Sequence, residues 1–111
     1  MPPESRKLLE DMRRAAGQIV DFTAGLSLDD YQSDQQLRWS VERGFEIIGE
    51  ALAQLGKIDA ALAGRISEYR KIISFRNILI HGYSQINHAT TWDIVQEDLP
   101  KLRRELDDLL A

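Results

Sequence analysis

No cysteine occurs among the 111 residues. Disulfide bridges and thiolate metal sites are therefore excluded, and a reducing compartment is compatible with the chain. Prolines number three and glycines seven, and alternating β-branched residues are scarce, which favours helices over strands. No apolar run approaches the ~20 residues needed to cross a bilayer. The opening Met1-Pro2-Pro3-Glu4 lacks the basic-then-apolar pattern of a secretory leader. These absences lead us to expect a cytoplasmic protein with no membrane association. A Gly-rich phosphate loop and a Gly-x-Ser-x-Gly elbow are also missing. His81 and His88 are separated by no acidic residue and match no common ligand spacing, so no metal and no cofactor are expected.

What is present suits one small globular domain over residues 1–111. Hydrophobic residues make up 43% and charged residues 29% of the chain, enough for one core and a solvated surface. The net charge of −4 argues against a general nucleic-acid binder, but its distribution is uneven. In residues 57–83, Lys57, Arg65, Arg70, Lys71 and Arg76 oppose only Asp59 and Glu68, a local excess of three positive charges. A solvated helix face is the simplest reading of that excess on its own.

Apolar periodicity predicts four main helices in an up-and-down bundle. The first spans about Glu4 to Thr23, with Leu8, Leu9, Met12, Ala15, Ala16, Ile19 and Val20 at helical spacing and Gly25 closing it. Ser27 to Gln32 reads as a polar connection with room for one short helical turn. Ser33 with Gln36 reads as a capping box opening the second helix. There Leu37, Val41, Ile48, Leu52 and Leu55 form the apolar stripe, and Trp39, Arg43, Glu46 and Glu50 fall opposite. A tryptophan opposite the stripe calls for a second surface, either a partner or the fourth helix. Gly56 to Gly64 reads as a connection with room for one helical turn, and Arg65 to Ile80 as the third helix. Thr90 to Leu110 reads as the last, bent or restarted at Pro100.

The third helix is the informative one. Its seam reads Ile66, Tyr69, Ile73, Arg76, Ile80, which sets a full charge on an apolar stripe. An ion pair with Glu46 or Glu50, or a side chain reaching past the helix end, accounts for Arg76 structurally. His81 complements the helix dipole at the C-terminus. Gly82 is suited to a positive φ, and Tyr83 emerges in the loop. On an unbroken helix, residues five apart lie roughly 140° apart in azimuth and ~7.5 Å apart in rise. Arg76 and His81 therefore converge only if the helix unwinds at His81 or if two chains share the site.

Arg76-Asn77-Ile78-Leu79-Ile80-His81-Gly82-Tyr83 resembles the Arg-x4-His-x-Tyr signature of the HepT branch of the HEPN superfamily. Ile48-Gly49-Glu50-Ala51 is similar to that family's helix-two motif. Thr91-Trp92-Asp93-Ile94-Val95, with Asp98-Leu99-Pro100, is similar to its C-terminal pattern. The resemblance implies an all-α HEPN-type bundle of four to five helices that forms a homodimer through the motif-bearing face. It implies the toxin of a type VII toxin–antitoxin pair, a metal-independent endoribonuclease acting on RNA. It further implies a nucleotidyltransferase antitoxin of the MNT type that transfers AMP to the motif tyrosine, here Tyr83.

The residue chemistry agrees with that role. Imidazole exchanges protons near neutrality, so His81 suits general acid or base work on the 2′-hydroxyl or the leaving 5′-oxygen. Arg76 offers a planar fork of donors for the phosphate. Asn77 orients the histidine or bonds the phosphate, and Tyr83 positions the substrate. Arg65, Arg70 and Lys71 are the RNA-contact candidates of the basic segment. Two other readings stand beside this one. One is a non-catalytic helical dimer that docks a nucleotidyltransferase. The other is a nucleotide-binding regulator holding phosphate with Arg76 and His81.

Overall fold

A computed structural model describes residues 1–111, all of them in helices, turns or short connections. α1 (Pro3–Thr23) opens with Pro3 in its first turn, where a missing N–H costs nothing. It ends before Gly25, which closes it as expected and adopts a left-handed φ of 74°. α2 (Leu28–Ser33) lies where a polar connection was expected. Ser27 Oγ accepts from the Asp30 N–H at 3.2 Å, and Asp30 Oδ2 accepts from the Ser27 N–H at 2.9 Å. The capping box is therefore Ser27 with Asp30, six residues before the expected Ser33 with Gln36. Ser33 instead donates to the Asp29 carbonyl, and Asp34 Oδ1 caps α3 by accepting from the Leu37 N–H.

α3 (Gln35–Ile58) is longer than its sequence suggested, because Gly56 lies inside it rather than in a connection. Asp59 then caps the single turn of α4 (Ala60–Ala63) through the Leu62 N–H. Residues 65–68 do not begin the next helix. They form a run of tight turns, with Ile66 N–H bonded to Ala63 O and Tyr69 N–H to Ile66 O. Glu105 accepts the Ser67 N–H at 3.2 Å. α5 (Tyr69–His81) follows and continues unbroken through His81.

After a 3-10 turn at Tyr83–Gln85, Asn87 caps α6 (His88–Asp93) by accepting from the Thr90 N–H. The α-helix restarts at Pro100, as its sequence suggested, with the proline in the first turn of the last helix. A π-helical turn at Ile94–Asp98 bonds the Leu99 N–H to Ile94 O, five residues back, before α7 (Leu99–Leu110). The widened turn makes room for the proline ring, which otherwise collides with the carbonyl four residues earlier.

The expected bundle is present. α1 packs along α3, α5 packs on the other flank of α3, and α7 packs on α1. Leu9, Met12 and Ile19 of α1 meet Val41, Ile48, Leu52 and Leu55 of α3 and Leu99 and Leu106 of α7 in a single buried core. Phe45 and Phe75 cross edge to face at 5.4 Å, filling the space between α3 and α5. Lys71–Asp98 at 2.7 Å and Lys101–Glu68 at 3.3 Å tie the start of α5 to the last helical region. The last helix therefore covers α1 and the start of α5, and it leaves the Trp39 face of α3 bare.

The core contains two costly polar groups. Glu42 is buried with Oε2 unpaired, next to the Tyr31 hydroxyl, which is also buried and unpaired. Burial, partly offset by Arg38, pushes the Glu42 carboxyl above its ordinary value. Burial, reinforced by Glu42, also raises the Tyr31 phenol. The folded state thus holds the Glu42 proton more tightly than the unfolded chain does. That contribution is present at acid pH and is lost as pH rises through the raised folded-state pKa. Glu42→Gln, which cannot ionise, should be more stable than the parent at pH 7 by about 1 kcal/mol. The advantage should disappear near pH 4, and paired thermal melts across that range measure it. Leu52→Ala should cost about 2–5 kcal/mol by denaturant titration.

Candidate functional site

The site is built where α3 and α5 come closest. A Cβ added at Gly49 would lie 2.4 Å from Arg76 Cβ, and one added at Gly56 would lie 2.5 Å from the Tyr69 hydroxyl. The two contacts are seven residues apart on each helix and run in opposite directions. They set the antiparallel register of α3 against α5 at two-turn intervals. Gly49 is the floor on which the Arg76 stem lies.

Arg76 is not in the centre of an apolar seam, as its spacing suggested. Leu79 is the buried residue of α5, Ile72, Ile73 and Phe75 pack against the core, and Ile80 is exposed. Arg76 sits on the α3 flank with its side chain 21% exposed. Its Nη2 forms an ion pair with Glu50 Oε2, one of the two partners considered from sequence. Its Nη1 donates to Asn77 Oδ1 at 2.8 Å, so Asn77 holds the arginine rather than the histidine. The Nε is buried and unpaired. Hydrogen bonds from Arg76 first and Gln54 second hold the Glu50 carboxyl below its ordinary value.

His81 ends α5 and is exposed. The Gly82 N–H bonds to Ile78 O at 2.9 Å, and the glycine has φ −117°, so no left-handed residue is used at this exit. The 3-10 turn then brings Tyr83 back over the start of α3. There its hydroxyl accepts from Trp39 Nε1–H at 3.1 Å. Trp39 and Tyr83 remain 55% and 57% exposed, and no fourth helix covers them.

The structure brings Arg76, Asn77 and Glu50 into direct contact and joins Tyr83 to Trp39. His81 lies five residues beyond Arg76 on an unbroken helix and makes no hydrogen bond to it. Of the basic candidates, Lys71 is committed to Asp98, whose hydrogen bond raises the ammonium above its ordinary value. Arg65 and Arg70 are exposed and make no ion pair. Sequence reasoning named Glu50 only as one of two structural partners for Arg76 and left Trp39 outside the site. The available signal was their shared outward face on α3.

An all-α bundle whose third long helix ends in Arg-x4-His-x-Tyr has the architecture of the HEPN class. The chain belongs to the Ribonuclease HepT-like family, which it matches over residues 12–109. It is 30% identical over 109 residues to a probable ribonuclease HepT of Thermococcus cleftensis, covering 98% of each chain. It is also 29% identical over 102 residues to a Methanocaldococcus jannaschii protein named "Putative RNase", covering 92% of this chain and 93% of that one. No solved structure gives a significant match.

Gly49→Ala tests the close approach. The added methyl meets the arginine Cβ beside the backbone, where no flexible end can yield. The helices must separate, at a cost of about 1–3 kcal/mol in a denaturant titration.

Proposed function

We propose that this chain, acting as one domain over residues 1–111, is the ribonuclease toxin of a type VII toxin–antitoxin pair. It cleaves RNA without a metal, through Arg76, Asn77, His81 and Tyr83. The observation that carries this reading is the oriented Arg76 guanidinium at the protein edge, on the same helix as an exposed His81 and just before an exposed Tyr83. The family supports it.

Cleavage begins when the 2′-hydroxyl loses a proton and its oxygen attacks the adjacent phosphorus. The phosphorus–5′-oxygen bond breaks, and the leaving oxygen takes up a proton. Arg76 stabilises the charge that grows on the phosphate oxygens. His81 supplies one of the two proton transfers. Because α5 is unbroken, Arg76 and His81 of one chain face different directions. A homodimer that sets Arg76 of one copy beside His81 of the other completes the site. Arg65 and Arg70 hold the flanking phosphates.

Tyr83 is the control point. A nucleotidyltransferase antitoxin of the MNT type has access to its hydroxyl. The Tyr83 oxygen attacks the α-phosphorus of ATP, its proton is released, and pyrophosphate leaves. The added AMP places a phosphate charge at the end of α5, where it competes with RNA for Arg76.

A second reading is favoured by the bare Trp39 face and by the engagement of Arg76 with Glu50. In that reading the chain is a non-catalytic dimer that docks the nucleotidyltransferase.

Arg76→Ala and His81→Ala should each lower cleavage of a single-stranded RNA by about 10²–10⁴-fold while remaining folded. The parent should be equally active in excess chelator. Mixing the two inactive variants should restore part of the activity, because one of the two sites in a mixed dimer is intact. A folded parent that leaves RNA uncut, with an intact mass showing no AMP on Tyr83, favours the docking reading.

A further inference from the structure

We propose that Glu50 is a positioning residue of this site: its carboxylate and the Asn77 amide oxygen clamp the Arg76 guanidinium so that it meets the scissile phosphate already oriented. The proposal rests on the ribonuclease reading above.

One turn of α3 supplies two different constraints on Arg76. Gly49 has no side chain, so the arginine stem lies directly on the helix backbone. Glu50, the next residue, points to the edge of the bundle and takes Nη2. From α5, Asn77 takes Nη1 at 2.8 Å. The stem is fixed below and each terminal nitrogen is gripped from its own side. An arginine has five N–H donors, and this clamp uses two of them. A phosphate thus finds further donors on a guanidinium whose rotation is already restricted, the condition under which positioning accelerates a reaction.

The pair differs from an ordinary surface ion pair. Two long exposed side chains that meet in solvent generally contribute little. Arg76 is mostly covered, and its Nε is buried without a partner. A guanidinium covered on one side in this way stays in a single orientation only where acceptors meet its terminal nitrogens, and the half-exposed Glu50 carboxylate supplies one of them. Glu46 lies on the same face of α3 and makes no bond to Arg76, so the role falls on Glu50 alone. Glu50 is poorly suited to act as the general base. Arg76 occupies one of its oxygens, and Gln54 approaches the other at 3.4 Å.

The test compares Glu50→Ala, Glu50→Gln and the parent on a single-stranded RNA reporter, with melts confirming that each is folded. Glu50→Ala should lower kcat by about 10- to 100-fold while KM moves less than about threefold, as misplacement of a charge-stabilising group requires. Glu50→Gln keeps an oxygen acceptor for Arg76 and should stay within about threefold of the parent. A Glu50→Ala variant with parental kcat overturns the proposal. So does a Glu50→Gln variant as damaged as Glu50→Ala, since that pattern belongs to a base or a counter-charge.

Side-chain NMR of Arg76 provides a readout that does not depend on cleavage. Its terminal nitrogens should rotate slowly in the parent and in Glu50→Gln, and should average in Glu50→Ala. If the parent does not cleave RNA, the ribonuclease reading fails and the NMR result alone decides the clamp. Slow rotation released by Glu50→Ala sustains it, and free rotation in the parent overturns it.

Discussion

The close approach of α5 to α3 at Gly49 is the constraint on which the rest of the site rests. Two helices rarely pack with a β-carbon of one against the bare backbone of the other unless a glycine is present. Gly49 provides this under Arg76 Cβ, and seven residues on Gly56 leaves room for the Tyr69 hydroxyl. That spacing fixes the antiparallel register, and the register decides which acid of α3 meets Arg76. With Gly49 under the arginine stem, Glu50 is the carboxylate within reach. The same register carries the end of α5 towards the start of α3, where the 3-10 turn delivers Tyr83 to Trp39.

The bundle is asymmetric around this seam. α7 covers α1 and is tied by ion pairs to the start of α5, so the far side of α3 has no cover. Trp39 stays exposed along it and donates to Tyr83 of the motif. The π-helical turn before Pro100 contributes to this layout. It lets α6 and α7 run on through the proline, so Trp92 packs at 5.3 Å from Tyr31 while Leu99 and Leu102 reach the core.

Much of the site could be read before the fold was known. Arg76, Asn77, His81 and Tyr83 form one short segment, and a charge at helical spacing among isoleucines is conspicuous in any sequence. The partners of those residues were harder to read. Trp39 is 44 residues from Tyr83, and Glu50 is 26 residues from Arg76. The spacing inside either helix says nothing of the register between them. The capping box was misplaced because two serines three residues before a polar side chain compete in the stretch from Ser27 to Gln36. Only the backbone geometry shows that Ser27 caps and that Ser33 bonds back into its own turn.

The sequence by itself determined the fold class and the four main helices, and it marked out the candidate segment from Arg76 to Tyr83. These follow from local periodicity and from residue types close together in the chain. It also held the glycines of α3, though not what they face. The tertiary structure decided that Gly56 lies inside a helix, because the Tyr69 hydroxyl occupies the space its side chain would fill. It decided that Arg76 lies at an edge and not in the core, because Leu79 takes the buried position of α5. It decided that Glu50, and not Glu46, accepts from the arginine. Each of these turns on which surfaces of two helices meet, and helical periodicity fixes a face on each helix without fixing how far one slides along the other.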